Sequence, residues 1–229
     1  MSHKTRVAAA VLALVVLFGS AASAAAPETT GTAVHDASQL QSALLPTADL
    51  SGFSEQTPPF QDGDGIAGCL VFGQMLGRRL DPGQSSAKLF VQRDIAGPYV
   101  DEVLLSESAE ESTQDLTVYA HELSTCASPT IGVGVRQVQM TATPIDFAPG
   151  TAAIRIDGVL GDVLPVDGYL VLGRVDATTL IGFMYLQFGS ASDQPAYELY
   201  TTAVSAAARA LDRHGPMAEG TTMRRWSTA

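Results

Sequence analysis

The chain has 229 residues, 13 of them Lys or Arg against 24 Asp or Glu, for a formal charge of −11. Phosphate backbones bind cationic surfaces, so this balance argues against nucleic acid as a partner and disfavours anionic lipid. The first residues read as a signal peptide over 1–26. Lys4 and Arg6 precede an apolar run from Val7 to Phe18, and small residues follow, with Ala22-Ser23-Ala24 and Ala24-Ala25-Ala26 as cleavage options. That run is shorter than the roughly 20 apolar residues of a membrane-spanning helix; an uncleaved anchor is the alternative. No cysteine stands near the cleavage point, which excludes a lipoprotein anchor. Loss of Lys4 and Arg6 takes the charge to −13 and leaves about 203 residues, enough for one domain with a full core. No later segment is long and apolar enough to span a bilayer. The protein is expected to be secreted or associated with the cell envelope.

Residues 27–34 are small and polar, a flexible leader that leaves His35 at its end. Asp36 and Gln39 approach a capping box. Leu40, Ala43 and Leu44 recur at helical spacing until Pro46 stops the helix. Residues 54–68 read as loop, broken by Pro58-Pro59 and by Asp62-Gly63-Asp64-Gly65. The last four resemble a calcium loop only faintly. Further oxygen ligands and a closing Glu are missing, so an acidic turn is preferred and no metal is expected.

Cys69-Leu70-Val71-Phe72 opens a strand, and Lys88 to Ile95 and Tyr99 to Leu105 are two more, joined across Gly97-Pro98. Asp101 and Glu102 put charge on both faces of the latter, which predicts an edge position. Ser108 and Glu111 form a capping box for a helix whose apolar face is Leu116, Tyr119, Ala120, Leu123 and Cys126. Ile131, Val133 and Val135 alternate on odd positions, Val138, Met140 and Ala142 on even ones. The phase change at Arg136-Gln137 predicts a β-bulge or bend. After a connection over 144–150, Ala152 to Asp157 alternate as a half-buried strand, and 158–165 is a turn region.

The stretch from Asp167 to Leu211 organises the rest. Two runs, Leu170 to Val175 and Leu180 to Phe188, are apolar on both faces and separated only by Asp176-Ala177-Thr178, which predicts a hairpin central in a sheet. A helix capped by Asp193 follows. Ala196, Leu199, Tyr200, Ala203, Ala207, Ala210 and Leu211 make its buried face, and Gly215-Pro216 ends it. The whole order predicts one α+β domain over 35–214, a largely antiparallel sheet of about six or seven strands with three main helices packed on it, before a flexible tail at 215–229.

Cys69 and Cys126 permit a single intramolecular pairing in an oxidising compartment, and Cys126 ends a buried helix face. A disulfide is therefore expected, with two buried free thiols as the alternative. Neither cysteine has a second ligand at metal spacing. No catalytic constellation stands out. There is no Gly-x-Ser-x-Gly and no phosphate-binding glycine loop. His121 beside Glu122 is expected on a solvated helix face. Glu110-Glu111 caps a helix, while Asp101-Glu102 point to opposite sides of a strand, so neither acidic pair converges as a glycosidase needs.

The mature chain resembles the extracellular sensor domain of PknH-type actinobacterial receptor kinases, a domain also found in secreted proteins and lipoproteins. The resemblance covers about residues 35–213. It is carried by the opening Ser42-Ala43-Leu44-Leu45-Pro46-Thr47-Ala48-Asp49-Leu50-Ser51-Gly52-Phe53, by Cys69 and Cys126, and by the closing hairpin with its alanine-rich helix. It implies an antiparallel sheet with flanking helices, a ligand cleft and no enzymatic activity. The chain departs from the kinase domain in carrying one potential disulfide rather than two, and no kinase. The reading is thus a non-catalytic binding or sensor-like protein without a cofactor. Its partner would be a small molecule, lipid, glycan or envelope protein. A secreted hydrolase with an unrecognised site and a structural or interaction module of the envelope are the alternatives.

Overall fold

A computed structural model describes residues 34–56, 66–67, 85–92, 97–133, 136–190 and 192–213, all within the compact unit Gly31–Ala229. The described strands are β1 (Phe53–Gln56), β2 (Ile66–Ala67), β3 (Ser85–Gln92), β4 (Tyr99–Ser106), β5 (Thr130–Val133), β6 (Arg136–Ile145), β7 (Ala152–Leu160), β8 (Leu164–Arg174) and β9 (Thr179–Phe188). They pair antiparallel throughout, in the order β1-β3-β4-β9-β8-β7-β6-β5-β2. The first seven in that order are the main sheet, and the short β5 and β2 continue it past β6. Helices α1 (Ala37–Ala43), α2 (Ala109–Thr125) and α3 (Asp193–Arg213) complete the α+β fold. The signal peptide, the leader up to residue 33, Cys69 with its expected strand, the Asp62–Gly65 turn and the tail 215–229 lie outside the described residues.

The predicted hairpin is the middle of the sheet. β9 is the fourth of the seven main strands and β8 lies beside it. Central strands are covered on both faces, which is why neither run alternates in polarity. Period-two geometry divides their side chains. Tyr169, Val171, Ile181, Phe183 and Tyr185 face α1 and α3, whereas Leu170, Leu172, Met184 and Leu186 face α2. The helices thus cover opposite faces. α1 and α3 bury Leu40, Ala43, Ala203, Ala207 and Leu211 on one side; α2 buries Tyr119 and Leu123 on the other. Both predicted capping boxes form: Asp36 Oδ1 accepts from Ser38 and Gln39 N–H at 2.8 and 2.9 Å, and Ser108 Oγ accepts from Glu111 N–H at 3.2 Å.

Several local expectations are corrected. β4 is an internal strand between β3 and β9, and Asp101 and Glu102 are buried. Charge on both faces misled because Leu45, just after α1, supplies Glu102 with a backbone donor. The phase change near Arg136 is not a bulge. Val133 pairs with Arg136, so the chain reverses there and two strands, each with its own phase, share the stretch. Residues 53–56 are strand rather than loop. Ser54, Glu55 and Gln56 are exposed on an edge that needs only backbone pairing, so no apolar alternation announced it. β6 runs on through Pro144 to Ile145, and the turn between β7 and β8 shrinks to three residues, 161–163. Asp193 is the first helical residue of α3 rather than its cap, and its carboxylate is engaged by Tyr169. His35 belongs to the fold. Its N–H donates to Ser106 Oγ at 2.9 Å, and its Nε2 lies 3.3 Å from Asp176 Oδ2 in the β8–β9 turn.

Candidate functional site

A polar concavity lies where the β6–β7 loop meets the first turn of α3, over the α1/α3 face of the sheet. It is an open cleft of about 390 Å³. Register builds its floor. Arg155 on β7 stands opposite Tyr169 on β8, and Asp167 is Tyr169's same-face neighbour two residues away. This diagonal is within reach of a long side chain. Arg155 Nε donates to Asp167 Oδ1 at 3.1 Å and Nη2 to Oδ2 at 2.5 Å, a bidentate pair. Hydrogen bonding to Asp167, followed by its charge, pushes the guanidinium pKa above its ordinary value.

Helical spacing builds one wall. Asp193 and Tyr197 are four residues apart and so share a face of α3. The Tyr169 hydroxyl donates to Asp193 Oδ1. Burial first, and then this bond to a carboxylate, raises the Tyr169 pKa and keeps the phenol protonated. The other wall is the loop. Thr151 Oγ1 donates to Ala148 O at 2.7 Å and accepts from Ala148 N–H at 3.2 Å, while Gly150 supplies the left-handed backbone (φ +75°) that closes the turn. The knotted loop presents Phe147 to three rings: Tyr169, Tyr197 and Tyr200, at centroid distances of 5.7, 5.8 and 5.7 Å. Asp146 and Tyr197 remain exposed at the cleft.

A second cleft of about 470 Å³ shares Tyr197 and continues along 148–151 to Arg174, Tyr200 and Val204. A third, of about 350 Å³, lies among Phe53, Gln92, Tyr185, Glu198 and Leu199. Beneath α1 the same sheet face holds Glu102, which is 0% exposed. Its Oε2 accepts from Leu45 N–H at 2.8 Å, and its Oε1 has no hydrogen-bond partner among the described residues. Burial pushes this carboxyl up to about 7, against the opposing pulls of the Leu45 amide and Lys88.

The residues singled out in sequence do not converge. His121 is exposed on α2 and lines none of these three clefts. Cys126 is buried as the residue that caps the C-terminus of α2, and no cysteine among the described residues is free. Its expected partner, Cys69, lies outside those residues. Among the described residues no group of three or more His, Cys, Asp or Glu side chains is placed to hold a metal ion. The cleft residues Asp146, Phe147, Arg155, Tyr169 and Tyr197 were missed. Arg155 reads as the polar side of a half-buried strand, and only the β7–β8 register brings it to Asp167.

No protein-family model matches the chain, and no curated protein matches it by sequence. Among solved structures it is similar to the extracellular domain of PknH from Mycobacterium tuberculosis, with a TM-score of 0.58 and 10% identity over 79% of this chain and 98% of that one. A likeness at this identity is one of fold. A human StarD13 lipid transfer and protein localization domain also aligns, at a TM-score of 0.26 and 8% identity over 74% of this chain and 92% of that one, which carries no argument. No helix among the described residues is long and apolar enough to cross a membrane.

Proposed function

We propose that this is an exported, non-catalytic, sensor-like binding protein, with its ligand site in the cleft between the β6–β7 loop and α3. The observation that carries the reading is the fold likeness to the PknH extracellular domain, which spans 98% of that domain. The cleft adds what a ligand site needs: a concave volume of about 390 Å³, aromatic lining and a few polar groups held in place by their neighbours. We further propose that Cys69 and Cys126 form a disulfide that ties the first cysteine strand to the end of α2, as the export signal and the even cysteine count favour.

Ligand-induced thermal shifts across lipids, glycans and cell-wall fragments test the binding reading. A specific ligand at about 100 times its dissociation constant adds about 2.7 kcal/mol to stability. The shift is expected to fall to about half in Tyr197→Ala. Reproducible hydrolysis by the purified protein, abolished by one point mutation, would replace this reading with the hydrolase one.

One observation favours the interaction-module alternative. Val159, Val163 and Leu164 are exposed by 52, 84 and 39%, and all three belong to the β7–β8 hairpin. Such an apolar tip suits a docking contact. Co-purification with an envelope protein that Val163→Ser releases, without any small-molecule shift, would favour it.

A further inference from the structure

We propose that the cleft between the β6–β7 loop and α3 takes an organic cation, a small molecule bearing an ammonium group. The inference rests on the reading of this cleft as the ligand site and names its chemical class. The charges of the lining decide the sign. Asp146 and Asp193 both line it and are exposed. Arg155 is the cation in the lining, and its Nε and Nη2 both donate to the buried Asp167. An incoming anion would therefore have to compete with an intramolecular bidentate pair, while facing two carboxylates. The N-terminus of α3 offers about half a positive charge, too little to reverse two full negative ones. A formal charge of −11 over the chain draws cations toward the protein before contact.

The rings supply the other half of the recognition. Tyr197 is 40% exposed and lies 5.8 Å from Phe147 with the planes inclined at 56°, and Tyr169 adjoins Phe147 at 5.7 Å. Aromatic faces carry negative quadrupole density and attract desolvated alkylammonium groups. Tyr169 does not offer its hydroxyl to a ligand, because that proton is given to Asp193. Gln194, also in the lining, gives its amide N–H to Glu198 Oε1 at 2.6 Å. Aromatic surface, the Tyr197 hydroxyl and carboxylate and amide oxygens remain, a set richer in acceptors than donors that suits a cation more than a neutral sugar, whose hydroxyls need both.

The test is calorimetric titration of the protein with choline chloride and n-butylammonium chloride, beside N-acetylglucosamine as a neutral probe and sodium acetate as an anionic one. Both cations should bind, with affinity falling as sodium chloride is raised, and the other two should not. Tyr197→Ala should weaken cation binding by about tenfold, and Asp146→Asn by about two- to fivefold. Tyr197→Phe, which keeps the ring, should bind like the parent, and a cooperative urea transition in Tyr197→Ala separates lost binding from misfolding. Binding of N-acetylglucosamine that depends on Tyr197, with both cations silent, would overturn the ligand class and leave the cleft standing. Cation binding indifferent to Tyr197→Ala and Asp146→Asn would overturn the cleft as the site. Silence from all four probes would overturn the cation inference, while a Tyr197-dependent shift with any other ligand would preserve the broader reading.

Discussion

The two faces of the sheet are built from the same strands and solve different problems. Beneath α2 the side chains are largely aliphatic: Val138, Met140, Ile154, Ile156, Leu170 and Leu172 pack around Tyr119 and Leu123. Beneath α1 and α3 the sheet projects Phe90, Tyr169, Phe183 and Tyr185, and the helix answers with alanines. Small residues on α3 leave room for large ones on the strands. Where the helix carries a ring, the strand yields instead: Gly173 lies under the Tyr200 hydroxyl, in the space its own Cβ would occupy. Burial pushes the Tyr200 phenol up to about 12 and raises that of Tyr185, so both stay neutral at physiological pH. Tyr169, Tyr185 and Tyr200, the Glu102 carboxyl and two of the three clefts therefore gather on one face, while the other is mainly aliphatic around Tyr119 and the buried Asp101. The difference shows that a sheet can keep one surface mainly aliphatic and leave the other irregular enough to form clefts.

The largest expected effect comes from the aromatic face. Phe183→Ala removes a fully buried ring and should cost about 3–5 kcal/mol by urea denaturation, against about 0.5–1.5 for Ile154→Val under α2. A loss at Phe183 no larger than at Ile154 would mean that α3 covers its face loosely. Cys69→Ser bears on the α2 side. It should lower stability by about 2–5 kcal/mol if the bond to Cys126 forms. Titration of two free thiols in the native protein would refute that bond.

Acidity should then separate the faces through Glu102. Burial pushes its carboxyl up to about 7 in the fold, from an ordinary value of 4.5. The folded state holds the proton more tightly, so this group's contribution is fully present below 4.5. It falls away as pH rises through about 7, a loss of about 3 kcal/mol. Stability curves for Glu102→Gln should lack this component, and a parental slope unchanged in the variant would assign it elsewhere. The smallest effect belongs to the α2 cap: Ser108→Ala should cost about 1 kcal/mol.

Legibility followed the same division. Periodicity and capping residues revealed the three described α-helices and the central hairpin, because those signals are local: Asp36 with Gln39, Ser108 with Glu111, and the uninterrupted apolar runs either side of Asp176. Features that depend on pairing across the sheet were hidden. The internal place of β4 rests on an amide 57 positions earlier, at Leu45, that meets Glu102. The edge strand β1 bears exposed polar side chains and shows no alternation. The cleft was hidden for the same reason, since Asp146, Arg155, Asp167 and Asp193 come from four separate places in the chain and only register and the turn into α3 bring them to one spot.

The order of the strands has a consequence for assembly. β9 comes last in sequence among the described strands, yet it sits between β4 and β8 at the heart of the main sheet. Without it, β4 and β8 would each lack a pairing neighbour, and each would present an open hydrogen-bonding rim. Unpaired rims of this kind invite pairing with other chains. A chain cut short before Thr179 would leave both rims exposed, and it should aggregate more readily than the full chain.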